Sequence, residues 1–416
     1  MAELCGEGEN KKQETDVNLI DCLLNHMEIS VSESEKRATS ALNIRECYIV
    51  YLIKTRITQN GWNLTEHGLG QIWRRYSEFE QLRYYLSNTY PWAVIPPLPE
   101  KKHSFPVHTL PTDSFNPDFI DRRRVGLENF LHRVAQHPTI SRDPMFLIFL
   151  QQEEGWKNSM KDIGYMRLAE EKIKTLNAIV RTKEVDPDFE QIRRYSDGIQ
   201  GVLSSVLRIR SRAALKRFNI YKWHAGYGKV FSEWSAIEKE MGDGLQQAGH
   251  YFDSVASGSE SFLEDEELIM DQLKEYLLFA SSLGDVCNKR AMLQLEIEKL
   301  HDLIKAKTSE KEKITQGKYG MLSRLLGSPE KEDKDRKIAQ IDQKIAATQE
   351  KIAQSERALD EFKQKALSDF ENFKKTKEKD LKDTLEVYIK HEIKMAKKGM
   401  QAWKNIQNCI DSISTS

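Results

Sequence analysis

The chain is 416 residues long, with 63 Lys+Arg against 64 Asp+Glu, a formal net charge of −1. Charged residues make up 31% of it and hydrophobic ones 39%, which disfavours a wholly basic nucleic-acid binder and leaves material for two or three domains. The longest apolar run, Met145 to Leu150, falls far short of the ~18 residues of a membrane span, so the prediction is a soluble, cytosolic chain.

Residues 1–40 carry 9 acidic and 4 basic residues, net −5, and no aromatic. They predict a disordered acidic lead segment, with a short amphipathic turn around Leu19 to Met27. From 41 to 152 the texture changes. Ile44 to Ile57 alternates apolar residues with Arg45, Lys54 and Arg56, Asn60-Gly61 is a turn dipeptide, and Gln71 to Tyr76 reads as a further strand. A helix follows from Ser77 to about Ser87, then the proline-rich Pro96-Pro97-Leu98-Pro99, then helices at about 117–136 and 143–151. Pro117 suits the first turn of its helix, and Pro138 lies just past its end. The expectation is a small α+β domain, a three-stranded sheet plus helices. Residues 153–187 form a linker. Its Leu168, Ile173, Leu176, Ile179 and Val180 define an amphipathic stretch that either lies on a membrane or docks on the preceding domain.

Residues 188–416 read as helix. Breakers divide them into segments from about Asp188 to Val255, ending at Ser257-Gly258-Ser259, from about Phe262 to Gln316, and from about Lys331 to Asp411. The connector 317–330 holds Gly317, Gly320, Gly327 and Pro329 and cannot be continuous helix. In the last segment Ile338, Ile345, Ile352, Leu359, Ala366 and Phe373 recur every seventh residue, the mark of coiled-coil packing. A helix of ~70 residues spans roughly 100 Å. The prediction is an all-α rod, a long three-helix antiparallel coiled coil. Such a rod exposes much of its surface, and dimerisation is the usual remedy. Tyr221, Trp223, Tyr227, Phe231, Trp234, Tyr251 and Phe252 divide between intramolecular core and a dimer face.

No enzyme is indicated. There is no HExxH, P-loop or GxSxG, and the ten His residues show no metal spacing, so no catalytic residue, metal or cofactor is expected. Cys5, Cys22, Cys47, Cys287 and Cys409 are scattered, without a CxxC pair, and read as reduced thiols.

Three basic sites in the α+β region carry the chemistry: Trp73-Arg74-Arg75-Tyr76-Ser77-Glu78-Phe79 at a strand-to-helix junction, Lys101-Lys102 after the proline loop, and Arg122-Arg123-Arg124 early in a helix. A guanidinium fork for one phosphate, a second cation for another and an aromatic face beneath a sugar ring would recognise an anionic head group. Arg75 is the prime candidate. Arg74, its neighbour in an extended strand, points to the opposite face and is expected to be structural or exposed. Val94, Ile95 and Leu98 either dip into a lipid interface or pack under the loop.

Arg74-Arg75-Tyr76-Ser77-Glu78-Phe79, then Pro96-Pro97-Leu98-Pro99-Glu100-Lys101, then Arg123 four residues before Leu127, together resemble a PX domain over residues 41–152. The resemblance implies binding of phosphatidylinositol 3-phosphate. Arg75 would hold the 3-phosphate, Tyr76 the inositol ring, Lys101 the 1-phosphate, and Arg123 the 4- and 5-hydroxyls. Ser77 stands where some members carry a second basic residue. With the helical region after it, the chain resembles the PX-BAR sorting nexins. That implies a BAR domain over 188–416, dimerising with itself or with another PX-BAR sorting nexin. The implied role is recycling of transmembrane cargo and autophagy at the cytosolic face of early and recycling endosomes, with no nucleic-acid partner. Lys318 and Arg324 in the connector, and Lys390, Lys394, Lys397 and Lys398 against Glu392, are candidate membrane contacts. The acidic run Glu260 to Asp271 should avoid a membrane. The rival reading is a coiled-coil tether or scaffold whose PX-like domain binds protein.

Overall fold

Met27, Ile29 and Val31 alternate with Glu28 and Ser30, the period of a half-buried strand. In the computed structural model they open strand β1, Met27–Ala41. The structure describes residues 22–41, 44–58, 69–101, 117–152, 156, 186–316 and 331–413. β1 pairs antiparallel with β2 (Ile44–Ile57) from Met27↔Ile57 to Ala41↔Ile44, with a bulge between Val31 and Glu33. β2 pairs antiparallel with β3 (Leu69–Arg75), giving the order β1-β2-β3.

This corrects the reading of residues 1–40 as a disordered lead. From the 3₁₀ turn Leu23–Asn25 onward the segment belongs to the α+β domain, and Leu23, Met27 and Val31 are fully buried. Composition misleads here because a strand buried on one face needs an apolar residue only at every second position. The acidic residues between them face solvent, with Glu28 and Glu33 paired to Arg56 and Lys54 on β2.

Helices α1 (Tyr76–Thr89), α2 (Pro117–Gln136) and α3 (Pro144–Gln151) complete the domain. Phe79, Leu82 and Leu86 of α1 and Leu127, Phe130, Leu131 and Val134 of α2 recur at helical spacing and form its core with Tyr51, Ile53 and Phe149. Asp143 caps α3, accepting from the N–H groups of Met145 and Phe146 at 2.8 and 3.1 Å. Along the outer edge of β1, α2 side chains satisfy backbone groups that a sheet edge otherwise leaves open. Val31 N–H donates to Glu128 at 2.7 Å, and Arg124 donates to Val31 O at 2.5 Å.

The rod consists of α4 (Pro187–Ser235), α5 (Gly242–Thr315) and α6 (Lys331–Asp411). The first break differs from expectation: it falls at 236–241, and α5 runs unbroken through Ser257-Gly258-Ser259. A glycine inside a helix costs only about 1 kcal/mol against alanine, which burial of neighbouring Phe252 and Ala256 outweighs. At the turn the requirement is steric, because a Cβ on Gly242 would meet Ser235 O at 2.9 Å. In α6, Ile341, Ile352, Phe362, Ala366 and Phe373 are buried along the heptad line. A charged layer crosses the rod: buried Glu266 of α5 pairs with Arg210 and Arg217 of α4, and Arg217 donates to Glu392 of α6 at 2.8 Å. Glu266 is therefore no part of an exposed acidic patch. The amphipathic stretch 168–180 and the connector 317–330, with Lys318 and Arg324, lie outside the described residues.

The α+β domain is seated on the rod. Asp369 of α6 accepts the Val94 N–H at 2.7 Å and lies 2.9 Å from His137 Nε2. Arg133 of α2 donates to Glu275 of α5 at 2.7 Å and to Asp380 of α6 at 2.8 Å. Burial opposes the Arg133 charge, but these carboxylates outweigh it and raise its pKa. Val94 packs in the rod core with Phe362 and Phe370, while Ile95 packs in the core of the α+β domain. Both are buried, which decides between lipid contact and packing in favour of packing.

Candidate functional site

Alternation along β3 separates the two arginines. Ile72 and Arg74 turn inward, and Arg75 turns outward. Arg74, at 1% exposure, donates to Phe149 O at 3.0 Å and Gln152 O at 2.5 Å, and pairs with Glu78 at 3.5 Å. Its cation thus closes the C-terminal end of α3, where carbonyls lack helical partners. Arg75 is the N-cap of α1; its backbone N–H donates to Glu78 Oε2 at 2.8 Å. Its guanidinium lies 3.3 Å from the ring centre of Tyr48. Arg75 pairs with Val50 across the sheet, and Tyr48, two residues along β2, shares that face.

Tyr76 opens α1 and sits at the centre of the site. Its hydroxyl donates to Pro99 O at 2.6 Å. Burial first, and then the charge of Glu80, push its pKa up to about 12, so the phenol is a neutral donor at physiological pH. Arg123 of α2 lies 5.0 Å from the Tyr76 ring and 4.3 Å from Phe119, and donates to Lys101 O at 2.6 Å. Its approach depends on Gly126, where a Cβ would come within 2.7 Å of Pro99. Lys101 Nζ is 5.8 Å from the Tyr76 ring. It donates to both carboxylate oxygens of Glu80, at 3.0 and 2.9 Å. Ser77 is exposed at the second position of α1.

Tyr76, Lys101 and Arg123 are therefore brought together from α1, the proline loop and α2, while Arg75, the residue before Tyr76, holds its guanidinium over Tyr48. Two cations flank one aromatic ring, with a third cation on the residue before it, an arrangement suited to a phosphorylated ring compound. Tyr48, Phe119 and Glu80 were not anticipated. Glu80 was detectable as the residue one turn beyond Tyr76, whereas Tyr48 and Phe119 join the site only through tertiary folding.

Lys390, Lys394, Lys397 and Lys398 stand apart from this pocket, exposed along α6, with Lys390 paired to Glu386 at 2.7 Å. The same stretch exposes Leu385, Ile389, Ile393, Met400 and Trp403, and α4 exposes Val202, Ile209, Trp223 and Tyr227. The aromatic set divides: Phe252 is buried among the rings of Phe231, Tyr227 and Trp403, at 5.2, 5.5 and 5.6 Å, while Trp223 is 66% exposed. No helix among the described residues is long and apolar enough to cross a membrane.

Residues 65–153 match the family model of the PX domain. Sorting nexin-4 of Mus musculus is 44% identical over 403 residues, covering 94% of this chain and 88% of that protein. This chain belongs to the sorting nexins. The Homo sapiens sorting nexin-4 is 43% identical with the same coverage. The cryo-EM structure of the SNX-BAR Mvp1 tetramer matches with a TM-score of 0.63 at 19% identity, covering 91% of this chain and 99% of that one. The shared fold assigns the rod of this sorting nexin to the BAR type. Its family is one of membrane-trafficking adaptors.

Proposed function

We propose that this sorting nexin is a peripheral adaptor that binds phosphatidylinositol 3-phosphate and acts on curved endosomal membrane as a BAR dimer. The observation that carries the reading is the Tyr76 ring flanked by Lys101 and Arg123, with Arg75 next to it on an exposed strand end. Arg75 takes the 3-phosphate in its fork, Lys101 the 1-phosphate, Arg123 the ring hydroxyls, and Tyr76 the ring face, with Ser77 at the rim. Hydrogen bonds to charged groups contribute about 1.5–3 kcal/mol each, so three such residues support a specific site. The exposed apolar faces of α4 and α6 meet a second copy or another PX-BAR sorting nexin. Lys390, Lys394, Lys397 and Lys398, with Lys318 and Arg324, add about 1 kcal/mol each near an anionic leaflet, and dimerisation doubles their number. The work served is recycling of transmembrane cargo from early and recycling endosomes, and autophagy.

Vesicle flotation of the full chain tests this. Wild type should float with vesicles containing phosphatidylinositol 3-phosphate and stay down without it. Arg75→Ala, a change at an exposed side chain, should cut recovery about tenfold, the effect of roughly 1.4 kcal/mol. Equal flotation of both proteins would sink the assignment, and binding indifferent to the lipid would favour the scaffold reading.

A further inference from the structure

The head-group site contains a carboxylate as well as its cations. Glu80 lies four residues after Tyr76 on α1, which places the two on one helix face. Both Glu80 oxygens accept from Lys101 Nζ, at 3.0 and 2.9 Å, so the lysine assigned to a phosphate carries an anion from its own chain. The neighbouring acid is engaged elsewhere, since Glu78 caps α1 through the Arg75 N–H and pairs with buried Arg74. Among the described residues Glu80 has no such structural partner; its contact is with Lys101. The pair is open to solvent, with the side chains of Lys101 and Glu80 67% and 36% exposed, and exposed ion pairs separate at little cost.

We propose that Glu80 is an internal counter-ion of the head-group site, holding Lys101 until a phosphate of the ligand displaces it. The idea rests on the phosphoinositide reading above and adds a term that opposes it. A phosphate reaching Lys101 Nζ meets a carboxylate already bound there, and two anions so close repel. Glu80 must swing away or share the ammonium. Its negative field also reaches the aromatic floor, since it contributes to the raised pKa of Tyr76. Glu80 thus acts as an affinity-limiting residue. It keeps a single site weak, so that lasting attachment needs several sites at once. A phosphate group is the chemistry recognised, whether carried by a lipid head group or free in solution.

Titration calorimetry of the full chain with inositol 1,3-bisphosphate, and separately with inorganic phosphate, tests the proposal. Glu80→Gln keeps the shape of the side chain and removes its charge. It should bind the head group roughly three- to tenfold more tightly than wild type at low salt. That gain should shrink between about 0.05 and 0.5 M NaCl, because surface charge effects are screened; a merely structural role would not respond to salt in this way. If Arg75→Ala abolishes binding but Glu80→Gln binds no more tightly than wild type, the counter-ion role is overturned and the phosphoinositide reading stands. If neither wild type nor Glu80→Gln binds the head group, both fall. If inorganic phosphate binds as well as the head group, the residue guards a general anion site and the head-group assignment is overturned.

Discussion

Arg74 and Arg75 are chain neighbours with opposite fates. Arg74 directs its charge at two carbonyls at the end of α3, and Arg75 presents its fork outward over Tyr48. Replacing Arg74 by Met should strand those buried acceptors and cost about 2–4 kcal/mol, read as a lower urea midpoint. Arg75→Ala should leave that midpoint nearly unchanged while weakening lipid binding. The division was legible from strand alternation alone, which turns adjacent side chains to opposite faces. What Arg74 touches was not, because Phe149 O comes from 75 residues further along the chain. Lys101 posed the converse problem. Its type and place after the proline loop marked it as a phosphate contact, yet its pairing with Glu80, 21 residues earlier in the chain, is made only by the fold.

Elements set the distances between these residues. The close passage of α2 over the proline loop rests on Gly126, and Gly126→Val would force its side chain into Pro99. We expect a loss of about 1–3 kcal/mol by thermal melting. Head-group binding should weaken as well, since the same loop presents Lys101 and receives the Arg123 bond. The start of α4 carries a pH signature. Asp186 caps that helix through the Asp188 N–H at 2.9 Å. Burial acts to raise its pKa, but Lys363, the Asp188 N–H and Arg290 together hold it below the ordinary aspartate value. Its stabilising contribution is therefore complete above the unfolded value near pH 4 and lost as pH falls through the lower folded value. Melting temperature measured from pH 7 to 3 should fall less steeply at the acid end in Asp186→Asn than in wild type. Most elements could be read from periodicity, as the heptads of α6 show. β1 escaped because net acidity outweighed a short apolar alternation, and the expected break at Ser257-Gly258-Ser259 did not form because a helix can absorb that glycine.

At the scale of the whole molecule, orientation is the property at stake. Asp369 and Arg133 tie the α+β domain to the two longest helices, so the head-group site keeps a fixed attitude to the rod. Asp369→Ala would strip the Val94 N–H and His137 of their acceptor. Combined with Arg133→Ala, which removes the pairs to Glu275 and Asp380, it should let the domain swing on the rod, raising the radius of gyration in small-angle scattering without loss of helix content. Such contacts join residues far apart in the chain, 142 positions for Arg133 and Glu275 and 232 for His137 and Asp369, and no local pattern encodes them. The exposed face of the rod yields its own prediction. In the proposed dimer the exposed Trp223 would be covered, and Trp223→Glu should shift the chain toward monomer in light scattering, because a charge placed in an apolar interface is not compensated.

Val94 and Ile95 are consecutive in the chain and belong to different cores, one in the rod and one in the sheet domain. That single peptide step ties the packing of the two halves together. A substitution at 94 falls in the cluster that holds Phe362 and Phe370, and a foreign PX domain grafted onto this rod would have to fit that cluster. Chimaeras of related chains should therefore keep the two domains docked only when the residue at 94 suits the helices it enters.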